Sequence, residues 1–448
     1  MRFAIRSVGP WAAGLTAAML LVAACGGSAS SGSSGTTTFK GTKKVGLSIA
    51  LTGQSALYGD SISKGAQLAI DDINKAGGVN SYKLALDTLD DATTVDKAVA
   101  NVKQLILQDN ASVLLGQVTS AQCQATSPIS KANKILYMAA TCNSYQLTSE
   151  PDLVNPYYVS VVPNTYMEGT AAGNVAAKVR AKKIFIVSPK YLFGISETNA
   201  FVATLKKADP EAQIVNPQST WYVPFPTNPD WHSTINAIQS YKPDLVYSNI
   251  FAADEINFIK QATQVDPIFF KTYPMTTLVS LDEFKALGAS YPADMHAYMR
   301  APFFALSNPK LDSFVSAYKS RYGVYPSDWA IMDYDAVQVW AKAANAAKSF
   351  DPDAVLKHID GQSFQSLRGY TMTIRPEDQQ ANVGETIGTT VASGGKYPFV
   401  TLQGSTNLQG SKIIMPVQMV KELRAGQCEN GGDPKTANFA LCPSFKSS

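Results

Sequence analysis

Residues 45–78 read VGLSIALTGQSALYGDSISKGAQLAIDDINKAGG, and the fold is decided here. The largely apolar run over residues 45–50 has the character of a strand covered on both faces, as strands of parallel sheets are. A glycine-bearing loop follows it. Ile62, Ala66, Ala69, Ile70 and Ile73 then recur at helical spacing, with Asp60 or Ser61 as the expected N-cap and Gly77-Gly78 as the terminator. The unit is strand, loop, helix. In open sheets built from such units, small ligands bind at the carboxyl ends of the strands, which puts residues 51–59 on the rim of a crevice.

The unit repeats outward from there. Alternation over residues 82–89 predicts a second strand, and Val95, Ala98, Val99, Val102, Leu105 and Ile106 predict an amphipathic helix. Strands at 112–115 and 135–138, with a helix from Ala121 between them, continue the series, and residues 157–162 lead out of a first lobe. A second series starts at Asn164, with helices at 164–178 and 196–207 and strands at 184–187, 245–247 and 268–271. Between its elements lies WYVPFPTNPDW, residues 221–231, where prolines exclude regular structure and aromatics require packing. It is read as a loop folded on its own lobe, with a ligand-facing lid as the rival.

The amino terminus has a different character. Arg2 and Arg6 precede an apolar run that ends in Leu21-Val22-Ala23-Ala24-Cys25, the pattern of a secretory signal with a lipobox. Residues 1–24 are expected to be removed and Cys25 acylated, with residues 25–42 forming anchor and tether; two acyl chains suffice for stable attachment. Loss of the signal leaves 36 basic against 35 acidic residues in 424, a balance that gives no reason to expect nucleic acid as a partner. No later apolar run approaches the roughly 18 residues of a membrane span. The expected location is the outer face of the cell membrane, on a lipid anchor.

Four further cysteines in an exported chain suggest two disulfides. Three pairings are possible; closeness along the chain favours Cys123 with Cys142 and Cys428 with Cys442. CxxC and HExxH spacings are absent and only His232, His296 and His358 are available, so neither metal nor cofactor is expected. No nucleophile elbow or phosphate loop is present either, which argues against an enzyme.

LTGQSALYGDSISKGAQLAIDDINKAGG resembles the N-terminal signature of the Leu/Ile/Val-binding family of solute-binding proteins, which serve ABC importers. Similarity resumes at LLGQVTSAQCQATSPIS, YMAATCNS, PDLVYSN and FVSAYKSRYGVYPSDWAIMDYDAVQVWAKA, so it spans roughly residues 43–420. The first and last of these segments are specific; the middle ones are weak alone. The resemblance implies an α/β fold of two Rossmann-like lobes with parallel sheets, joined by a three-strand hinge, the type I periplasmic binding fold. It divides the chain into a first lobe of residues 43–162 plus 298–377 and a second of 163–297 plus 378–420, the latter including a strand at 397–402, and leaves 421–448 as an extension.

By the same resemblance, Ser120, Ala139 and Thr141 match positions that hold a ligand carboxylate, and loop hydroxyls with helix N-termini suit an anion. Tyr58, Phe193 and Phe251 match aromatic ligand positions, and Met275 is a further wall residue. Amino-acid binders of the family place an acid after the strand matching residues 268–271, where this chain reads Thr272-Tyr273-Pro274-Met275; Asp254 is the available substitute. The expected ligand is therefore a compact carboxylate or amide with an aromatic or aliphatic body. Branched-chain amino acid binding and a ligand-sensing receptor subunit are the alternatives. A monomer working with a membrane permease is expected.

Overall fold

In the computed structural model, residues 38–225, 230–392, 395–428 and 439–446 are described, and the segment from residue 39 onward is one compact unit. The signal, Cys25 and the tether lie outside the described residues. A first sheet has its strands in the order Lys83–Asp90, Thr42–Ile49, Ala111–Gly116, Tyr137–Ala139, Tyr158–Ser160, all parallel. A second sheet repeats that order with Gln213–Ile214, Lys183–Pro189, Leu245–Ser248, Met275–Leu278 and His296–Met299, again parallel. The strands Glu385–Val391 and Thr401–Leu408 then extend it antiparallel. Strand order 2-1-3-4-5 reverses beside the first strand, so each sheet has a switch point at its carboxyl edge.

The helix after the first strand, Ala56–Lys75, begins earlier than its sequence implies, with Ser55 rather than Asp60 or Ser61 at the N-cap position. The preceding loop is clamped from outside. Asp90 accepts the Leu51 and Thr52 amides, and Thr93 accepts the Ser55 amide at 3.0 Å. Gly59 permits the early start, because a side chain there would overlap the Ala50 carbonyl. Gly65 plays a second role by letting this helix approach the backbone of Asp328–Ala347 at Ala330, which brings the returning helix onto the first sheet.

The chain leaves the first sheet after Ser160, returns through residues 300–308, and leaves again at residues 382–384. Gln380 still bridges Ser160 and the Ala381 amide bonds the Ser160 carbonyl at 2.8 Å, so the last passage falls at Glu385, a few residues beyond Asp378. Two strand assignments are corrected. Residues 268–271 are not a strand: Phe269–Thr272 is a short helix whose Phe269 and Phe270 pack on Phe258. A short apolar run bounded by Pro267 and Pro274 does not distinguish strand from buried turn by periodicity. The paired strand is Met275–Leu278. Likewise the strand expected at 397–402 is Thr401–Leu408, while Tyr397 and Phe399 join an aromatic cluster with Phe303 and Tyr325.

Cys123 is bonded to Cys142, and Cys428 to Cys442. The end of the chain is packed: helix Val417–Arg424 buries Met419, Val420 and Leu423 among Tyr145, Ala200 and Ala203, and Arg424 donates to the Thr148 carbonyl at 2.8 Å.

Candidate functional site

The carboxyl edges of the two sheets face each other across a crevice, and each strand that ends there contributes its following loop. Tyr58 stands in the first turn of Ala56–Lys75, buried, with its ring 4.5 Å from Trp329 and 6.4 Å from Phe251. Its hydroxyl donates to Glu283 and accepts the Ala252 amide at 2.9 Å, so one first-lobe side chain is held by two second-lobe elements. Burial and the neighbouring Glu283 carboxylate push the Tyr58 hydroxyl well above its usual pKa, and it stays a neutral donor. Gln54 Nε2 adds a bond to the Phe251 carbonyl at 3.3 Å.

The second-lobe wall is aromatic. Phe193 meets Phe251 edge to face at 5.6 Å, and Tyr191 stacks on Phe225 at 4.0 Å. Phe225 belongs to the proline-rich segment, whose Tyr222–Val223 pairs with Ser188-Pro189. The described part of that segment is thus folded on its own lobe and supports the crevice wall from behind. The floor is formed where the chain crosses between lobes: Arg300 lies over Trp329 at 4.7 Å and donates from Nε to Glu168 at 2.5 Å. Burial opposes the Arg300 charge, but Glu168 outweighs it and the guanidinium stays protonated.

Two carboxylates reach the crevice and both are occupied. Glu283 closes a capping box with Ser280, whose amide and hydroxyl bond Oε2 at 3.0 and 2.5 Å, while Tyr58 and the Ala252 amide bond Oε1. Asp328 accepts the Ala301 amide at 2.7 Å and the Leu281 amide at 3.3 Å. Burial raises its carboxyl to about 6 against the pull of those amides. The cavity between the lobes measures about 30 Å³, room for one or two waters, and the bonds of Tyr58 and Gln54 hold the two lobes against each other.

Of the residues singled out in the sequence, Tyr58, Thr141, Phe193 and Phe251 line this cavity together. Ser120, Ala139, Asp254 and Met275 do not. Ser120 Oγ faces its own lobe, where it accepts the Asn143 and Ser144 amides at 3.3 and 3.2 Å; it positions the loop that Thr141 begins. Ala139 is the last residue of its strand, with its carbonyl bonded by the Val161 amide at 2.9 Å. Asp254 is buried in the first turn of Ala252–Val265. Met275 opens the strand Met275–Leu278 at its amino end, away from the carboxyl edge, because the strand begins where the sequence reading placed the loop. That same shift makes Glu283 the acid that follows the strand, in the first turn of Leu281–Leu287. Asn143, Tyr191, Ser280, Glu283, Arg300 and Asp328 were missed. Asn143 and Asp328-Trp329 carried a signal, being part of the quoted YMAATCNS and SDWAIMDYD segments.

The match that decides the family is to the model described as periplasmic binding protein, over residues 42–396. The chain belongs to that family. Members bind solutes rather than transform them, so this chain is a solute-binding protein and not an enzyme. It is similar to Leu/Ile/Val-binding protein homolog 7 of Brucella abortus, 25% identical over 348 residues, covering 73% of this chain and 84% of that one. Among solved structures it resembles the leucine-binding protein LivK of Thermotoga maritima, at TM-score 0.71 and 19% identity, with 83% and 99% of the two chains covered. A solute-binding protein of Rhodopseudomonas palustris in complex with 3,4-dihydroxybenzoic acid has TM-score 0.71 and 21% identity, with 82% and 98% covered. These two likenesses establish the type I periplasmic binding fold. Among the described residues, no helix is long and apolar enough to cross a membrane.

Proposed function

We propose that this family member is a lipid-anchored, extracytoplasmic receptor of an ABC importer that closes its two lobes over a small amphipathic carboxylate or amide and delivers it to a membrane permease. The observation that carries the ligand class is the state of the ionic groups in the crevice. Each Glu283 oxygen already accepts two hydrogen bonds, and each Asp328 oxygen accepts a backbone amide, whereas Arg300 brings a positive charge to the floor. An incoming ammonium would have to displace Tyr58 from Glu283; an incoming carboxylate meets a guanidinium whose Nε is paired with Glu168, while Thr141 and Asn143 beside it already donate to the Gln117 and Pro163 carbonyls and to Glu168. The rings of Tyr58, Phe193, Phe251 and Trp329 suit an apolar or aromatic body. The aromatic acid held by the Rhodopseudomonas neighbour supports the same class.

Branched-chain amino acid binding is the second reading, favoured by the position of Glu283 on the loop after Met275–Leu278 and by the names of the relatives. Native mass spectrometry of protein purified without refolding tests the choice: a co-purified organic acid or amide supports the first reading, and a co-purified aliphatic amino acid replaces it with the second. Attachment through Cys25 is tested by Cys25→Ala, which should release the protein from the membrane or leave its signal uncut; retention of a processed protein on the membrane would contradict the anchor.

A further inference from the structure

The family match ends at residue 396, yet the chain beyond it is packed into the body of the molecule. Its last strand, Thr401–Leu408, is an edge of the second sheet, and the short helix Gly410–Ile413 that follows lies against Thr165–Lys178 of the same lobe. From that root the chain reaches over to the first lobe. The Met415 carbonyl accepts Arg375 Nη1 at 2.6 Å, and Arg424, in the last turn of Val417–Arg424, donates to the Thr148 carbonyl at 2.8 Å. The bond between Cys428 and Cys442 then brings residues 439–446 back onto that helix, where Glu422 accepts the Ser444 amide at 3.1 Å and its hydroxyl at 2.7 Å.

Phe439 is the side chain that this arrangement sets in place. It is 1% exposed, and its ring stands edge to face between Tyr145 of the first lobe, 5.6 Å away, and Tyr166 of the second, 4.8 Å away. Ala200, Ala203, Met419 and Leu423 close around it in a cluster separate from the main core. Tyr145 and Thr148 belong to the loop and short helix that follow Thr141 and Asn143, two residues lining the crevice. The Tyr145 amide also donates to Thr165 Oγ1 at 3.0 Å, so Phe439 packs where the chain first passes between the lobes.

We propose, on the reading of the crevice as the ligand site, that residues 410–428 and 439–446 form a brace across the hinge, which favours the lobe arrangement seen here and holds the loop of Thr141 and Asn143 in its binding position. Phe439 and Arg424 are positioning residues: neither lines the crevice, and each acts through a first-lobe partner, Tyr145 or Thr148. The physical ground is differential contact. A brace rooted on the second sheet moves with the second lobe, so a rotation that parts the lobes pulls Phe439 from Tyr145 and Arg424 from Thr148, while the packing on Tyr166, Ala200 and Ala203 persists. The first-lobe contacts therefore count in one arrangement only. A ligand that needs this arrangement binds more tightly by the factor with which the brace populates it.

The test uses the full chain, first without ligand. Spin labels on Asp96→Cys and Lys190→Cys, both exposed and just beyond strands Lys83–Asp90 and Lys183–Pro189 at the carboxyl edges of the two sheets, report the distance between the lobes. In Phe439→Ala that distance should lengthen and its distribution broaden relative to the labelled parent. Arg424→Met, which keeps the apolar packing and removes the bond to Thr148, should shift it in the same direction, and it decides the matter alone if Phe439→Ala does not fold. Calorimetry with benzoate and with leucine gives the second readout: whichever probe binds the parent should bind Phe439→Ala roughly two- to tenfold more weakly, the scale of one edge-to-face aromatic contact. A merely structural role would lower the melting temperature and leave distance and affinity where they were. That result, or an unchanged distance in Arg424→Met, would overturn the brace. The distance is read without ligand and either probe serves for affinity, so a crevice that takes leucine corrects the proposed ligand class and leaves the brace standing.

Discussion

Ser120 and Thr141 separate two jobs that look alike in the sequence. Both are hydroxyls on loops at the carboxyl edge of the first sheet, but Ser120 accepts the Asn143 and Ser144 amides while Thr141 lines the cavity, its Oγ1 donating to the Gln117 carbonyl. Ser120→Ala strands two buried amides, so it should lower stability by ~1–3 kcal/mol in denaturant unfolding of the ligand-free protein. Thr141→Ala should instead weaken the crevice ligand, by up to about tenfold, through loss of the bond to the Gln117 carbonyl that sets this part of the rim. Equal stability of parent and Ser120→Ala proteins would refute the assignment. Asp282 gives a pH-dependent counterpart. Burial, resisted by Lys285, raises its carboxyl from 3.8 to about 7. As pH rises through that window the unfolded chain ionises first, so this group favours the native state at low pH and the advantage is lost as pH approaches 7. Asp282→Asn should therefore gain stability relative to the parent between pH 4 and 8; a constant difference across that range would show that Asp282 titrates normally.

At the scale of elements, the sequence was read well wherever one period dominated. The helix Thr165–Lys178 and its Asn164 cap, the strand Leu245–Ser248 and the first strand all follow from apolar spacing and a capping residue. It was misread where short apolar runs meet prolines. Residues 268–271 suit a strand locally, and only pairing with Leu245–Ser248 gives that role to Met275–Leu278. The error carried Met275 into the site and left Glu283 out. Arg300 was not legible for another reason: it meets Asp328 only because the chain returns across the hinge, and a lone arginine after a strand carries no pattern. The bond between Cys123 and Cys142 ties the helix Ser120–Ala132 to the loop that carries Thr141 and Asn143. For residues 19 apart, the chain-entropy account gives ~3 kcal/mol. The double variant Cys123→Ser, Cys142→Ser should lose about that much stability and some ligand affinity with it, since the loop must then be ordered on binding. Stability equal to the parent under non-reducing conditions would contradict the structural role of this bond.

The whole molecule consists of two sheets with the same strand order, facing each other at their carboxyl edges, with Tyr58 as a contact that either bends with the hinge or breaks. Closure brings Gln54 to Phe251 and Asp328 to Leu281, so each lobe completes hydrogen bonding in the other. The crevice cavity of about 30 Å³ has room for one or two waters, and hinge closure around a ligand is the motion that two-lobed folds of this kind use. Titration calorimetry of the full chain with benzoate and 4-hydroxybenzoate, beside leucine, isoleucine and valine, tests this account most directly. It predicts that an aromatic acid binds, that Thr141→Ala weakens it, and that the three amino acids give no heat. Micromolar or tighter binding of any of those amino acids would contradict the reading of the crevice as a carboxylate site whose acidic groups are already engaged.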